Sequence, residues 1–197
     1  MKRVGIIAAQ GDIAEHILSV ENVFRERGEQ GEAIPVRSLS ELDSVHAVIL
    51  PGGESTAISK LLVKFGLHDA LIERTNDGMP IMGTCAGSIL LSSRGGYDVT
   101  RTETKLLGLM DMEVNRNAFG RQRESFQTRL RIEGFDDPYE AIFIRAPAIT
   151  EVWGKCSPLA RVDDYIVMAQ QDVRFALTFH PELTPDTRLH SLLIDEI

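Results

Sequence analysis

Three short apolar runs constrain the fold of this chain more than any other feature. Val4 to Ala9, Ala47 to Leu50 and Ile81 to Met82 each read as a buried strand. Each ends at a turn that carries glycine: Gln10-Gly11-Asp12, Pro51-Gly52-Gly53, and Gly83-Thr84-Cys85-Ala86-Gly87. A helical pattern follows each turn. Ile13, Ile17, Val20 and Phe24 fall at helical spacing, with Asp12 placed as N-cap and Gly28 as the stop. Ala57 to Lys64 and Leu67 to Arg74 continue the second, and Ser88-Ile89-Leu90-Leu91 opens the third. Ala33 to Val36 is a weaker strand, and Ser40 to Asp43 a short helical turn. Strands that alternate with helices across short loops predict a mostly parallel sheet with helices on both faces. Sites on such sheets gather at the carboxyl ends of the strands. Gln10-Gly11, the Gly52-Gly53 loop and Cys85 are therefore expected on one edge.

The second half has a different texture. Lys105 to Val114, Phe126 to Ile132, Ala141 to Ile144, Thr150 to Trp153, Tyr165 to Ala169 and Arg174 to Phe179 are strand-like, with few helical patterns between them. They predict antiparallel or mixed additions to the sheet, closed by a last helix from about Asp186 to Asp195. No repeat, low-complexity segment or linker interrupts the 197 residues. The expectation is an α/β three-layer sandwich, a single domain over 1–197.

Composition excludes several classes. The net charge of −8 argues against a nucleic-acid partner. No apolar run of about 18 residues exists to cross a membrane. The first apolar run is too short for a signal peptide. Cys85 and Cys156 do not make a disulfide framework, so a cytoplasmic setting is expected. No metal-ligand spacing such as C-x-x-C or H-x-x-x-H occurs, and neither a metal nor a cofactor is expected.

The chemistry centres on Cys85. Gly83-Thr84-Cys85-Ala86-Gly87 has the G-x-nucleophile-x-G form of a nucleophile elbow, with Cys in place of Ser. A helix N-terminus beside the sulfur favours the thiolate. The plainer alternative is a small buried hydrophobe. A catalytic thiol needs a base, and His180 stands at the end of the apolar run Phe175 to Phe179. Two residues on, Glu182 would project to the same side of an extended chain and orient the imidazole. His16 and His190 read as surface residues, and His46 and His68 have no evident partner. The Gly53 N–H and the Ala86 N–H are candidates for an oxyanion hole, although Pro51-Gly52-Gly53 also reads as a plain turn. Arg116 and Arg145 could each grip a carboxylate.

Six ordered motifs then carry a resemblance over nearly the whole chain. They are Gln10-Gly11, Pro51-Gly52-Gly53-Glu54-Ser55-Thr56, Gly83 to Gly87, Asn115-Arg116-Asn117-Ala118-Phe119-Gly120-Arg121-Gln122, Phe143-Ile144-Arg145-Ala146-Pro147 and Phe179-His180-Pro181-Glu182-Leu183. Together they resemble class I (triad-type) glutamine amidotransferases, and within them the glutaminase subunits of pyridoxal 5'-phosphate synthase. The resemblance implies that Cys85 attacks the glutamine side-chain amide, that His180 relays protons and that Glu182 orients His180. It implies that Gly52, Gly53, Glu54, Arg116, Ile144 and Arg145 hold glutamine. Ammonia would pass to a β/α-barrel synthase partner, which docks near Gln10 and the first helix and completes the oxyanion hole. Ala9 and Ser88 depart from the usual pattern, where a larger apolar residue is common. The other readings are a glutaminase subunit of a different amidotransferase, such as one serving imidazole-ring synthesis, a free-standing γ-glutamyl hydrolase, and a non-catalytic thiol-sensing module.

Overall fold

The computed structural model describes residues 1–116 and 125–197. The first half builds β1 (Lys2–Ile7), α1 (Ile13–Arg27), β2 (Gly31–Val36), α2 (Leu39–Leu42), β3 (Ala47–Leu50), α3 (Ser55–Lys64), α4 (Leu67–Asn76), β4 (Ile81–Thr84) and α5 (Ala86–Leu91). The second builds β5 (Ser92–Gly95), α6 (Tyr97–Arg101), β6 (Met110–Asn115), β7 (Ser125–Leu130), β8 (Tyr139–Ile144), β9 (Ala148–Val152), β10 (Ser157–Val162), β11 (Tyr165–Gln171), β12 (Arg174–Leu177) and α7 (Arg188–Ile194).

Period-two side-chain alternation gives the sheet two buried faces. Val4, Ile6, Ala47, Ile49, Met82, Phe175 and Leu177 face a core shared with Val20, Val23 and Phe24 of α1 and Leu189 and Leu193 of α7. Ile7, Val48, Leu50, Ile81 and Ala176 face the other core, against Ile58 and Leu62 of α3, Leu67 and Leu71 of α4, and Ile89 and Leu90 of α5. Strands buried on both faces are why these runs read as continuously apolar.

Among the described residues the main sheet has ten strands, ordered β2-β1-β3-β4-β12-β11-β9-β6-β5, with β10 added beside β11. β2, β1, β3, β4 and β12 are mutually parallel along this path. The β11 neighbours and the β6–β9 pair are antiparallel. β7 and β8 form a separate antiparallel ribbon. The parallel core with antiparallel additions agrees with the sequence reading. One strand of the second half, however, returns to the parallel core. β12 pairs with β4 in the register Leu177↔Thr84. That pairing sends the segments after β1, β3, β4 and β12 out over the same sheet edge.

The differences have simple causes. β5 (Ser-Ser-Arg-Gly) and β10 (Ser-Pro-Leu-Ala-Arg-Val) lack an apolar alternation, so tertiary pairing alone makes them strands. Residues Lys105 to Leu109 precede β6 as loop, because Leu107 and Leu109 N–H donate to Leu90 O and Leu91 O of α5. Of the expected stripe on α1, Val20 and Phe24 are buried and Ile13 and Ile17 pack partly buried against the same core, while His16, Ser19 and Val23 join the buried face.

Candidate active site

Cys85 is the hinge between β4 and α5. Its φ is 48° and ψ −106°, a left-handed conformation that costs a side-chain-bearing residue about 1–3 kcal/mol. The surroundings hold it there. Its N–H donates to Leu177 O at 2.8 Å. Its carbonyl accepts from Ser88 N–H at 3.1 Å and from Ser88 Oγ at 2.7 Å. Ser88 is fully buried, so the serine that departs from the motif braces the elbow. Gly87 is required because a Cβ there would lie 2.0 Å from Leu50 O. Ala86 is the buried first residue of α5.

The β12 register brings His180 to the elbow three residues beyond Leu177. Its N–H donates to Ile142 O of β8 at 2.9 Å. The route to Glu182 differs from the extended chain expected. Pro181–Leu183 is a turn of 3-10 helix, started by the proline, and it curls Glu182 back under the ring. His180 Nδ1 and Glu182 Oε1 are 2.6 Å apart. With Nδ1 taken, Nε2 is the nitrogen left to serve Cys85, whose Cβ borders Gly52 together with the His180 ring. Burial acts to lower the His180 pKa, but hydrogen bonds to Cys85 and Glu182 and their charges outweigh it and raise it to about 10. Burial raises Glu182, with His180 pulling against it, so the carboxylate depends on the imidazole for its charge.

Asp12 occupies the N-cap position of α1, but its side chain makes no capping bond. Its Oδ2 lies 3.5 Å from His180 Nδ1 instead, a second carboxylate on the same nitrogen. Sequence reasoning assigned Asp12 a capping role only.

The glycine loop meets this site at Gly52. A Cβ there would stand 2.8 Å from His180 Cε1 and 3.3 Å from Cys85 Cβ. Gly53 follows with φ 137°, a value glycine adopts freely. Glu54 caps α3, accepting from Thr56 N–H at 3.1 Å and Ala57 N–H at 2.7 Å. Burial raises its pKa, but these bonds and Arg116 outweigh that and leave it lowered. Arg116 Nη2 donates to Ser55 Oγ and to Thr56 Oγ1, and stands 3.9 Å from Glu54 Oε1. Gln10 Oε1 accepts from Glu54 N–H at 3.4 Å. Gln10, Glu54 and Arg116 thus form a polar group around the loop that reaches Cys85 and His180 through Gly52. Ile144 and Arg145 are exposed at the end of β8, two and three residues beyond Ile142, whose carbonyl holds His180. Asn117 to Gln122 of the fourth motif lie outside the described residues.

His16 and His190 correct the sequence reading most sharply. Both are fully buried, not on the surface. His16 Nδ1 and His190 Nε2 are 3.0 Å apart, and His16 Nε2 lies 3.4 Å from Glu182 Oε2. No local signal marks them, since their partner residues are 174 positions apart. His68 also has partners: the Asp69 carboxylate at 2.7 Å and Leu106 O at 3.1 Å.

A buried thiol on a strained strand-to-helix elbow, facing an imidazole and a carboxylate at the carboxyl edge of an α/β sheet, is the layout of a glutamine amidotransferase. A solved structure described as "Crystal structure of glutamine amidotransferase" matches with a TM-score of 0.88 and 39% identity, covering 98% of this chain and 97% of that one. "Structure of PurLQS from Thermotoga maritima" shares the fold at a TM-score of 0.65 and 14% identity, covering 98% of each chain. The chain belongs to the SNO glutamine amidotransferase family, whose model matches residues 6–197. Two curated relatives are each named "Pyridoxal 5'-phosphate synthase subunit PdxT". The one from Methanocella arvoryzae is 46% identical over 195 residues, covering 99% of this chain and 97% of its own. The one from Archaeoglobus fulgidus is 47% identical over 192 residues, covering 98% and 96%.

Proposed function

We propose that this protein is the glutaminase subunit of a pyridoxal 5'-phosphate synthase, a single glutaminase domain over 1–197. It hydrolyses L-glutamine to L-glutamate and ammonia, and a synthase subunit takes the ammonia. The observation that carries the reading is the buried His180, bonded to Glu182 at Nδ1 and set beside Cys85 against Gly52.

Cys85 Sγ attacks the glutamine side-chain carbonyl carbon, and the thiol proton resides on His180 Nε2. The Gly53 and Ala86 N–H groups are assigned to the oxyanion of the tetrahedral intermediate. The C–N bond breaks as His180 returns its proton to the leaving nitrogen, which departs as ammonia and leaves a γ-glutamyl thioester. Water then attacks the same carbon, giving its proton to His180, and the C–S bond breaks to release glutamate and the thiol. Glu182 holds the ring and supports its charged form. Gly52, Gly53, Glu54, Arg116, Ile144 and Arg145 are assigned to glutamine. The cluster of Gln10, Glu54 and Arg116 supports the loop part of that assignment. Gln10 at the start of α1 is assigned to the partner interface, in a cytoplasmic hetero-oligomer. No helix among the described residues is long and apolar enough to cross a membrane.

The test is ammonia release from glutamine with and without the synthase barrel subunit. Release that rises when the synthase is added is expected. Folded protein that releases none with an authentic partner would sink the reading. Activation by an imidazole-forming cyclase in its place would move the chain to another amidotransferase.

A further inference from the structure

Behind the triad lies a second pair of imidazoles that the reaction as written does not use. His190 of α7 bonds His16 of α1, and His16 Nε2 faces two oxygens, Thr84 Oγ1 at 3.2 Å and Glu182 Oε2 at 3.4 Å. Thr84 is the residue before Cys85. Two atoms in this cluster have no hydrogen-bond partner among the described residues: Glu182 Oε2 and His190 Nδ1.

The orphaned His190 Nδ1 decides where the protons sit. In one arrangement His16 donates from Nδ1 to His190 Nε2. His190 must then carry its own proton on Nδ1, where a buried N–H would have no acceptor. In the same arrangement a lone pair on His16 Nε2 would face the Glu182 carboxylate. In the other, His190 Nε2–H donates to His16 Nδ1, only a lone pair is left bare at His190 Nδ1, and His16 carries its proton on Nε2. Orphaned buried donors are the rarer and costlier defect. The second arrangement avoids both faults.

We propose that His16, with its tautomer set by His190, is a positioning residue for the reaction: its Nε2–H, bonded to Thr84 Oγ1, also stands 3.4 Å from the otherwise unpartnered Glu182 Oε2 and attracts that oxygen electrostatically, so that Oε1 stays on His180. Burial, His190 and His180 all depress the His16 pKa, and burial takes His190 down to about 4. The pair is therefore a neutral donor at physiological pH. It orients the carboxylate without competing with His180 for its charge. The groups facing His180 itself are Cys85, Glu182 and Asp12, so the pH behaviour of the site belongs to that set.

The inference rests on the triad reading, and the experiment separates the two. Wild type, His16→Leu and His16→Gln are assayed with saturating synthase subunit. The glutamine amide nitrogen can take the place of Nε2 as the N–H facing Glu182, whereas leucine cannot. His16→Leu should lose roughly tenfold or more in kcat with little change in KM, and His16→Gln should recover most of it. The alkaline limb of the pH profile, where His180 loses its proton, should move down in His16→Leu by about half a unit or more. Wild-type protein supplies a readout that needs no variant to fold. Long-range proton–nitrogen NMR should show His16 protonated on Nε2 and bare on Nδ1. The opposite tautomer would overturn the proposal. So would folded His16→Leu with unaltered kcat and pH limb, or equal losses in both variants. An inactive wild type with authentic partner would instead overturn the glutaminase reading itself.

Discussion

Glu182→Gln is the substitution whose outcome the geometry defines most closely. Glu182 offers Oε1 to His180 Nδ1 at 2.6 Å and Oε2 to His16 Nε2 at 3.4 Å. A carboxylate accepts on both sides, and a carboxamide of the same shape cannot. If the new amide nitrogen faces His180, two N–H groups meet. The ring must then shift its proton to Nε2, where Cys85 needs an acceptor. If it faces His16, a buried donor is left unmatched at a cost of about 1–3 kcal/mol. In either orientation His180 loses the charge that helps raise its pKa to about 10. With Glu182 as the acid of the proposed triad, its amide substitution points to a fall in kcat of roughly two to four orders of magnitude. The fold should persist, because a buried carboxylate has been replaced by a neutral isostere. The assay is synthase-activated ammonia release, with thermal unfolding of the same preparation as control. Folded Glu182→Gln protein that keeps kcat within about threefold of wild type would refute the reasoning.

Two further outcomes follow from the same contacts. Gly52→Ala places a Cβ 2.8 Å from His180 Cε1, so the ring must move; kcat should drop roughly a hundredfold while the thermal midpoint changes little, and unaltered kcat would contradict the packing. Acid should destabilise the protein through the two buried imidazoles. Burial holds His190 near 4 against 6.5 in the unfolded chain, so its stabilisation is full above 6.5 and is lost as pH falls toward 4. The difference corresponds to about 3 kcal/mol, and His16 acts in the same direction. His180 acts with opposite sign: its contribution is present below 6.5 and lost as pH rises toward 10. Urea unfolding between pH 7 and pH 5 should show the acid loss, weakened in His190→Leu; equal stability of the wild type at both would contradict it.

The parts of the fold that were legible share one property: their signal is local. Val4, Ile6, Val48 and Leu50 are apolar because their strands are covered on both faces, and the glycine turns after them mark the edge where the site forms. Cys85 and His180 were legible for the same reason, each standing at the end of an apolar run. β5 and β10 were not, because pairing with a neighbouring strand creates them. The Asp12 carboxylate left its cap for an imidazole 168 residues away, and no helix-start rule can register that. His16 and His190 lie on helices with polar neighbours, so they look solvated; only the packing of α1 against α7 turns them into a buried, mutually bonded pair. The 3-10 turn at Pro181 reached the expected His180–Glu182 contact by a different path, since a proline that ends strand pairing also starts a turn.

The most direct test of the account is covalent labelling by a diazo-ketone analogue of glutamine, in the presence of the synthase subunit and read by peptide mass. The protein contains an internal control. Burial, with Asp111, pushes the Cys156 thiol up to about 11, so it should stay inert. Stoichiometric modification of Cys85 alone, prevented by excess glutamine, is the expected result. Labelling at Cys156, or at Cys85 without protection by glutamine, would contradict the claim that the elbow is a glutaminase nucleophile.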